Sequence, residues 1–404
     1  MPRPESGLIV VAHRIPASVT PLAGWLADVA DRVVLITSEA AAPGYAGRFG
    51  EVIPVADYTG SDEVADHLDR LCRDGRVASI VHGTEDDILR IARVRDRHGI
   101  AGLSYDDALV FRDKHRMKVA AEAGVRTPRF LAPGTPAEAV AFAASAGWPV
   151  VVKPRLSFGS RGVEVVADEA GLLRLIAERG LDDMLVESYV PGLVYHVDGL
   201  MSDGRVLVAV PSRYVNDCLS FTDGSSLGSV QLDADDPLAA ALTDFTERAV
   251  AVMPATGPTP FHLEVFRHEQ SGELYFCEIA ARLGGGHIYE TLTLAIGRDP
   301  VELWFRHQAG LDAGGTTFTR DPERYGFLLV PPRAGTLEEI KDIPMPPAVL
   351  RHSTPDDLPQ TYQAATASTD TVASFVVTGA GAAEVEASVR ACMRWTEDAL
   401  RWSA

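Results

Sequence analysis

The stretch Val150–Val163, VVVKPRLSFGSRGV, sets a β-branched run directly before a loop of small and basic residues. Its first three valines predict a buried strand, because β-branched side chains suit the pleated interior of a sheet. The glycines and serines that follow let the backbone bend and come close to a ligand. Since Lys153 and Arg161 add positive charge beside this loop, the stretch predicts an anion-binding site.

The composition limits the partners that such a site can serve. The chain has 404 residues, 46% of them hydrophobic, and a formal net charge of -19. This length allows about two to four domains or subdomains, each with its own core. The negative charge argues against nucleic-acid and membrane partners, because both need a net attraction to phosphate. We therefore expect neither partner, and any phosphate must be held by local geometry.

Cysteines and lysines are both few. Four cysteines lie far apart without a C-x-x-C pattern, so neither a disulfide framework nor a zinc site is expected, and a reducing cytoplasm fits best. No apolar run is long enough for a membrane span or for the core of a signal peptide. Only four of the 37 basic residues are lysines, and three of them, Lys114, Lys118 and Lys153, lie in two short segments.

Strands and helices are predicted to alternate through roughly the first hundred residues. Strands at 7–13, 32–37, 50–56 and 77–83 are separated by helical segments, which indicates a parallel sheet in a doubly wound α/β domain. No G-x-G-x-x-G follows the first strand, so a dinucleotide is not the expected ligand. We interpret this unit as a scaffold for the next domain or as one wall of its site.

The rest of the chain predicts a mixture of α/β and α+β units. We expect a single helix over Tyr105–Gly124, a hairpin over Tyr195–Val210 with its turn at Asp203 and Gly204, and a long loop over Pro211–Leu232. An amphipathic helix near the C-terminus indicates an appended α+β unit. The expected units are an N-terminal α/β domain at 1–106, a small subdomain at 107–190, a central subdomain at 191–320 and a C-terminal α+β unit at 321–404.

Two glutamates carry the sharpest chemical prediction. In Phe261–Leu292, FHLEVFRHEQSGELYFCEIAARLGGGHIYETL, two alternating runs flank a turn centred near Ser271 and Gly272. Such a hairpin places Glu264 and Glu278 opposite each other on one face. Because facing like charges are destabilising, the pair predicts a hard divalent cation, Mg²⁺ with Mn²⁺ as an alternative. The competing interpretation is that one carboxylate is protonated or that each pairs with an arginine.

The residues after the second glutamate are suited to an anion. Arg282 shares the face of the pair, and Gly284–Gly286 precede a helix that is predicted to begin near His287. A glycine-rich entry to a helix leaves backbone N–H groups free for an anion. His262 and His287 are candidate substrate contacts, although a lone histidine is more often structural.

Four motifs in one order give a resemblance to a known family. They are RDKHRMK at 112–118, VVKPRLSFGSRGV at 151–163, VESYVPG at 186–192, and HLEVF with CEIAARLGG within 262–285. Together they resemble the ATP-grasp superfamily, and within it the carboxylate–amine ligases, particularly the L-amino acid ligases that make dipeptides. The resemblance covers about residues 5 to 320. It implies an ATP-grasp fold with an N-terminal doubly wound domain, two ATP-grasp subdomains and a C-terminal α+β appendage.

The resemblance also implies roles for individual residues. Lys114 and Lys153 would contact the nucleotide, Lys153 at its α- and β-phosphates, and Glu264 with Glu278 would bind Mg²⁺. Arg282 would face the transferring phosphoryl group and, with the glycine run at Gly285, would hold the carboxylate or stabilise the oxyanion. The lid over the ATP phosphates would comprise Ser157, Gly159, Ser160, Arg161 and Gly162, and the adenine hinge would comprise Glu187, Ser188, Tyr189 and Val190.

The chain departs from the family pattern at two positions. Val194 stands where many members have an acidic ribose ligand, which leaves His196 and Asp198 as candidates for ribose. Ala280 stands where many members have an asparagine, so one metal ion would lose a ligand unless Glu278 bridges both ions. The residues considered for substrate contact are His196, Arg213, Asn216, Asp217, Gly284, Gly286 and His287.

The implied reaction is a two-step ligation. A carboxylate attacks the γ-phosphate of ATP to give an acyl phosphate and ADP, and an amine, expected to be that of an amino acid, then displaces phosphate. The alternatives are an ATP-grasp enzyme that uses formyl or carboxy phosphate on a nucleotide precursor, and a degenerate ATP-binding regulatory module. Small-molecule carboxylates and amines are the expected partners, and a homodimer is common among such proteins.

Overall fold

The computed structural model describes residues 7–159, 161–216, 224–254, 257–312, 314–315, 317–365 and 370–403. Its strands are β1 (Leu8–Ala12), β2 (Val33–Ser38), β3 (Glu51–Val55), β4 (Val77–His82), β5 (Phe130–Leu131), β6 (Val150–Pro154), β7 (Glu164–Val166), β8 (Met184–Ser188), β9 (Gly192–Ser202), β10 (Arg205–Tyr214), β11 (Leu227–Gln231), β12 (Thr259–His268), β13 (Leu274–Ala280), β14 (Arg324–Val330), β15 (Gly335–Ile340), β16 (Val349–Ser353), β17 (Gln360–Tyr362), β18 (Ala373–Gly379) and β19 (Leu400–Ser403). Its α-helices are α1 (Leu22–Trp25), α2 (Ala42–Tyr45), α3 (Glu63–Cys72), α4 (Asp87–His98), α5 (Tyr105–Val110), α6 (Lys114–Ala121), α7 (Pro136–Ala146), α8 (Glu169–Arg179), α9 (Pro237–Val250), α10 (Ile288–Ile296), α11 (Pro300–Gln308) and α12 (Ala382–Ala399), with a 3₁₀ helix at Ala27–Arg32. No helix among the described residues is both long and apolar enough to cross a lipid bilayer.

The N-terminal strands form the predicted parallel sheet, in the order β3-β2-β1-β4. Its central strands are runs of valine, isoleucine and leucine that are buried on both faces, as a parallel sheet between helices requires. The carboxyl ends of β1 and β4 lie side by side, with Ala12 opposite His82. Glu85 follows β4 in the loop at this edge, where ligands bind to sheets of this kind.

A small antiparallel sheet, β5-β8-β6-β7, carries the stretch at 150–163. Helices α7 and α8 pack on one face of it, against Val150 and Val152. Val151 on β6 lies opposite Glu187 on β8. Because residues two apart on a strand share a face, Lys153 and Glu187 project together from the face that the helices leave open.

A larger antiparallel sheet has the order β13-β12-β9-β10-β11-β14-β18-β16. The hairpin of β9 and β10 turns at Asp203 and Gly204, as predicted, and both residues have the positive φ of a two-residue turn. The predicted loop over Pro211–Leu232 is wrong in part, because β10 continues to Tyr214 and β11 occupies Leu227–Gln231.

The C-terminal part extends this large sheet. Strands β14, β16 and β18 join it, so the sheet runs across the unit boundary expected at residue 320, and the four domain limits remain predictions. The amphipathic helix expected near the C-terminus is confirmed as α12, which buries Val385, Val389 and Cys392 against the sheet. Strands β17, β15 and β19 form a separate three-stranded sheet.

The single helix expected over Tyr105–Gly124 is instead two helices, α5 and α6. Asp113 separates them, because its backbone is extended and its side chain accepts hydrogen bonds from the backbone N–H groups of His115 and Arg116. Arg155 Nε donates to the same carboxylate at 3.0 Å. This cap sets Lys114 on the first turn of α6, beside the loop that follows β6.

Candidate active site

A cavity of about 300 Å³ lies between the small sheet and the large sheet. Val165, Leu193 and Phe266 are among its apolar walls, and lysines and glutamates are among its polar groups. An apolar slot with a few convergent charges suits a planar base that carries phosphates. The residues predicted from sequence that line it are Lys114, Lys153, Ser157, Gly159, Glu187, Ser188, Tyr189, Val190, Asn216, Glu264 and Glu278.

The predicted register of the two glutamates is confirmed. Glu264 on β12 lies directly opposite Glu278 on β13, and the register shifts just after Glu264. The hydroxyl of Tyr214 donates to Glu264 Oε1 at 3.2 Å, and Lys114 Nζ lies 3.4 Å from Glu278 Oε2. Neither glutamate has an arginine partner among the described residues, so that part of the competing interpretation has no support here.

The carboxylate oxygens of this pair fit a hard divalent cation. Both side chains line the cavity from one face of the sheet, and oxygen is the ligand that Mg²⁺ prefers. Burial would raise the pKa of Glu278, but the charges of Lys114, Lys153 and His262 lower this pKa to about 2. The carboxylate is therefore ionised near neutral pH, as a metal ligand must be.

Lys153 and Lys118 share one carboxylate, that of Glu187. Their Nζ atoms lie 2.9 and 3.2 Å from Glu187 Oε1, and all three side chains are buried. Burial would raise the pKa of Glu187, but the charges of Lys118 and Lys153 outweigh it and lower the pKa. Burial would likewise lower the pKa of Lys153, yet the neighbouring Glu187 raises it. Burial lowers the pKa of Lys118, so Lys153 is the lysine that keeps a positive charge at the cavity.

This cluster changes the role expected for Glu187. Its side chain is committed to the two lysines, which leaves contacts to a base to the backbone and side chains of Ser188–Val190. Lys118 is the last residue of the first motif, but the resemblance assigns it no role. Its signal in the sequence is its spacing, because a lysine four residues after Lys114 lies on the same face of a helix.

The loop after β6 borders the cavity through Ser157 and Gly159. The backbone carbonyl oxygen of Ser157 accepts a hydrogen bond from Lys114 Nζ. Lys114 thus contacts both this loop and the metal-ligand candidate Glu278, which brings the loop to the charged end of the cavity.

Arg161 and Gly162, the described residues at the far side of this loop, are not among those that line the cavity. Gly162 has a φ of 73°, and a Cβ atom there would lie 2.9 Å from the ring of Pro154, so glycine is required. The guanidinium of Arg161 lies 5.0 Å from the ring centre of Phe158. Ser160 lies outside the described residues.

Arg282 reaches towards the N-terminal domain. Its Nε donates to Glu85, whose other carboxylate oxygen accepts from Arg112, and its Nη1 donates to the carbonyl oxygen of Leu283 at 2.6 Å. Arg282 is not among the residues that line the 300 Å³ cavity. The motifs do not predict Glu85, although its place directly after β4 could have identified it.

The three glycines at 284–286 differ in how much space a side chain would have. A Cβ atom at Gly284 would lie 2.7 Å from His262 Nδ1, and one at Gly286 would lie 2.9 Å from Leu329. At Gly285 a Cβ atom would meet nothing within 4 Å. Gly285 is therefore the open position of the run, and the other two are packed against side chains.

His287 caps the helix that follows the run. Helix α10 begins at Ile288, close to the predicted start. The ring of His287 contacts Glu290, which also accepts from Arg351 Nη1 at 3.0 Å. His287 lies outside the lining of the cavity, so its substrate contact remains a prediction.

His196, Asp198 and His262 form a buried network beside Glu264. Asp198 accepts from the Nδ1 atoms of His196 and His262 at 2.6 and 2.8 Å, and His196 Nε2 lies 2.7 Å from the hydroxyl of Ser229. Both ring nitrogens of His196 are thus engaged, and neither His196 nor Asp198 lines the cavity. The structure therefore does not bring these two residues to a ribose or a substrate. The network instead aims His262 Nε2 at Glu264 Oε1, 3.6 Å away.

The remaining substrate candidates belong to β10 and the segment after it. Arg213 pairs with Glu386 on α12, because alternate residues of a strand point to opposite faces and Tyr214 faces the cavity. Arg213 is therefore turned away from the site. Asn216 borders the cavity and donates to a backbone carbonyl oxygen at 2.6 Å. Asp217 lies outside the described residues.

Comparisons with known proteins agree with this geometry. Residues 113–190 match the family model of the carbamoyl-phosphate synthase L chain, ATP binding domain. The L-arginine-specific L-amino acid ligase of Bacillus subtilis is 28% identical over 330 residues, which cover 77% of this chain and 76% of that protein. The solved structure of an L-amino acid ligase from Bacillus licheniformis superposes with a TM-score of 0.76 at 16% identity, over 99% of this chain and 100% of that one.

A further solved structure widens the comparison beyond amino acid ligases. The biotin carboxylase domain of the Hydrogenobacter thermophilus 2-oxoglutarate carboxylase, in complex with MgADP, ADP and bicarbonate, gives a TM-score of 0.71 at 17% identity, over 99% of this chain and 91% of that one. The predicted fold class is confirmed, and the chain has the ATP-grasp fold. Within that superfamily it resembles the L-amino acid ligases over most of its length.

Proposed function

We propose that the protein is an ATP-dependent carboxylate–amine ligase that forms an amide or peptide bond and releases ADP and phosphate. The observation that carries the proposal is the convergence of Lys114, Lys153, Glu264 and Glu278 in one cavity with apolar walls. This set supplies cations for phosphates and oxygen ligands for a metal, which is what phosphoryl transfer requires of a protein. The similarity to L-amino acid ligases supports the same class of enzyme.

Each part of the nucleotide has a proposed binding place in the cavity. The apolar walls and the backbone of Ser188–Val190 receive the base, and Lys114 and Lys153 hold the phosphates. Glu264 and Glu278 would hold Mg²⁺, which when bound would neutralise phosphate charge during transfer. The loop at 157–162 closes over the phosphates and keeps water from the acyl phosphate.

The carboxylate and the amine are proposed to react beside residues that do not line the cavity. Arg282 holds the carboxylate that attacks the γ-phosphate, and the open backbone at Gly285 faces the oxygen that becomes negatively charged when the amine attacks. Phosphate then leaves and the amide remains. No side chain forms a covalent bond with the substrate in this scheme.

Amino acids are the substrates that we propose, as carboxylate donor and as amine acceptor. The name of the Bacillus subtilis relative makes L-arginine the first amino acid to test.

We also propose a cytoplasmic location, because the described cysteines Cys72, Cys277 and Cys392 are free thiols that suit a reducing compartment. A homodimer is proposed by analogy with the dimer of the Hydrogenobacter carboxylase domain, and light scattering would test it.

The deciding experiment is ADP release from purified protein with Mg-ATP and amino acids supplied in pairs, followed by mass spectrometry of each active mixture. An ADP signal that needs two amino acids, with a product mass equal to their sum minus water, supports the proposal. Activity with formate or bicarbonate instead would favour the use of another acyl phosphate. ATP binding without any ADP release would favour a regulatory module.

A further inference from the structure

Glu85 connects the N-terminal domain to the end of β13. Its side chain is 9% exposed, and its two carboxylate oxygens accept from Arg112 and from Arg282 Nε. Glu85 and Arg282 are 197 positions apart in the sequence. Charge-assisted bonds from two guanidinium groups to one buried carboxylate fix the orientation of all three side chains.

The contact leaves a defined part of Arg282 for a ligand. Nε is engaged by Glu85, and Nη1 is engaged by the carbonyl oxygen of Leu283. Among the residues that the structure describes, Nη2 of Arg282 has no hydrogen-bond partner, and the side chain is 21% exposed. The guanidinium of Arg282 is thus fixed through Nε and Nη1, and its Nη2 group is available to bind a ligand.

Arg112 ties the same carboxylate to the loop over the phosphates. Its Nη2 donates to the carbonyl oxygen of Leu156 at 3.3 Å, and its guanidinium lies 5.7 Å from the ring centre of Phe158. Arg112 also stands two residues before Lys114 in the sequence. Glu85 is therefore the common partner of Arg282 and of a side chain that contacts the lid.

We infer that Glu85 is a positioning residue, which holds Arg282 in the orientation that receives the carboxylate substrate. This inference rests on the proposed function, since it assumes that Arg282 binds that carboxylate. It gives the N-terminal domain a part in the reaction: the domain supplies the carboxylate that completes the site. Glu85 itself does not touch the nucleotide, because it is not among the residues that line the cavity.

The first test is Glu85→Gln, which keeps the size of the side chain and removes its charge. The kcat for donor-dependent ADP release should fall about 10- to 100-fold, as expected when a charge-assisted contact to a catalytic group is lost. The Kd for ATP should stay close to that of the wild type. The melting temperature should fall, because Arg112 and Arg282 lose a buried counter-charge, so kcat is compared at a temperature at which both proteins are folded. Asp86→Asn is the matched control, because Asp86 is the next residue and pairs with Arg14 instead. It should leave kcat within about twofold of wild type.

A double-mutant cycle separates positioning from a general structural role. If Glu85 acts through Arg282, adding Glu85→Gln to Arg282→Lys should cost little more, because lysine lacks the Nε group that Glu85 holds. An equal cost in both backgrounds would overturn the inference. So would a folded Glu85→Gln variant that loses ATP affinity in proportion to kcat, a measurement that decides even if Arg282→Lys is inactive.

The outcome for the wild type keeps the two proposals apart. If the wild type and the Glu85→Gln variant are equally active, the inference about Glu85 is wrong and the ligase proposal is still supported. A wild type that binds ATP but releases no ADP with any donor removes the ligase proposal, and the inference falls with it.

Discussion

Replacing Glu187 with glutamine should destabilise the protein more than the loss of any exposed ion pair. The Glu187 side chain is 2% exposed, and those of Lys118 and Lys153 are 0% and 5% exposed. The variant keeps the shape of the side chain but leaves two buried ammonium groups without their common counter-charge. Removing one partner of a buried pair costs about 3–5 kcal/mol in the free energy of unfolding. We expect a loss in this range.

Two matched variants provide reference values for this loss in the free energy of unfolding. Lys118→Met leaves Glu187 paired with Lys153, so its loss should stay below about 3 kcal/mol. Glu164→Gln breaks a pair with Arg179 in which the side chains are 45% and 39% exposed, so it should cost less than about 1 kcal/mol. Urea unfolding followed by circular dichroism would measure all three.

Mg-ATP offers an internal check on this reasoning. If phosphates bind beside Lys153, saturating nucleotide supplies part of the missing negative charge, so it should stabilise Glu187→Gln more than it stabilises the wild type. A loss in Glu187→Gln no larger than that in Glu164→Gln would refute the argument, because it would mean that the two lysines are not both charged in the folded protein.

Four other substitutions give three independent tests. Glu264→Gln should raise the Mg²⁺ concentration needed for half-maximal ADP release at least about tenfold, and an unchanged Mg²⁺ titration would exclude Glu264 as a ligand. Gly284→Ala should cost about 1–3 kcal/mol in unfolding free energy, because its Cβ atom would lie 2.7 Å from His262 Nδ1, whereas Gly285→Ala meets nothing within 4 Å and should be neutral. Burial and the charge of Arg14 lower the pKa of His13 from 6.5 to about 3, so the unfolded chain binds the proton first and stability falls as the pH drops below about 6.5. Between about pH 7 and pH 5, the free energy of unfolding should therefore fall by about 2 kcal/mol less in His13→Gln than in the wild type. The same pH dependence of the unfolding free energy in both proteins would contradict this.

The hairpin of β12 and β13 could be predicted from sequence because its determinants are local. A turn at Ser271 and Gly272 and the alternation on either side fix which residues face each other, so Glu264 and Glu278 were paired correctly without any knowledge of the fold. The end of β10 was missed for the opposite reason. Its last residues pair with β11, which begins 13 residues further along the chain, and no local pattern predicts that partner.

The helix break at Asp113 shows a local signal that was available. An aspartate followed by a helical run is a common cap, and here it separates two segments that periodicity alone joins into one helix. The break has a consequence for the site, because it starts α6 at Lys114. Lys114 and Lys118 then lie one turn apart, the first beside Glu278 and the second beside Glu187.

The ion pairs between residues far apart in the sequence could not be predicted from sequence, because they depend on how helices, sheets and domains pack. Glu187 meets Lys118 only when the small sheet lies against α6, and Glu85 meets Arg282 only when the N-terminal domain lies against the large sheet. Glu187 supplies the counter-charge for two buried lysines, and Glu85 supplies it for Arg112 and Arg282. In the folded protein the Lys118 side chain is fully buried, so its charge would be costly without Glu187. The charges of the site therefore favour the assembled arrangement of the units, and the same contacts that join the units orient the groups proposed to bind ATP and the carboxylate.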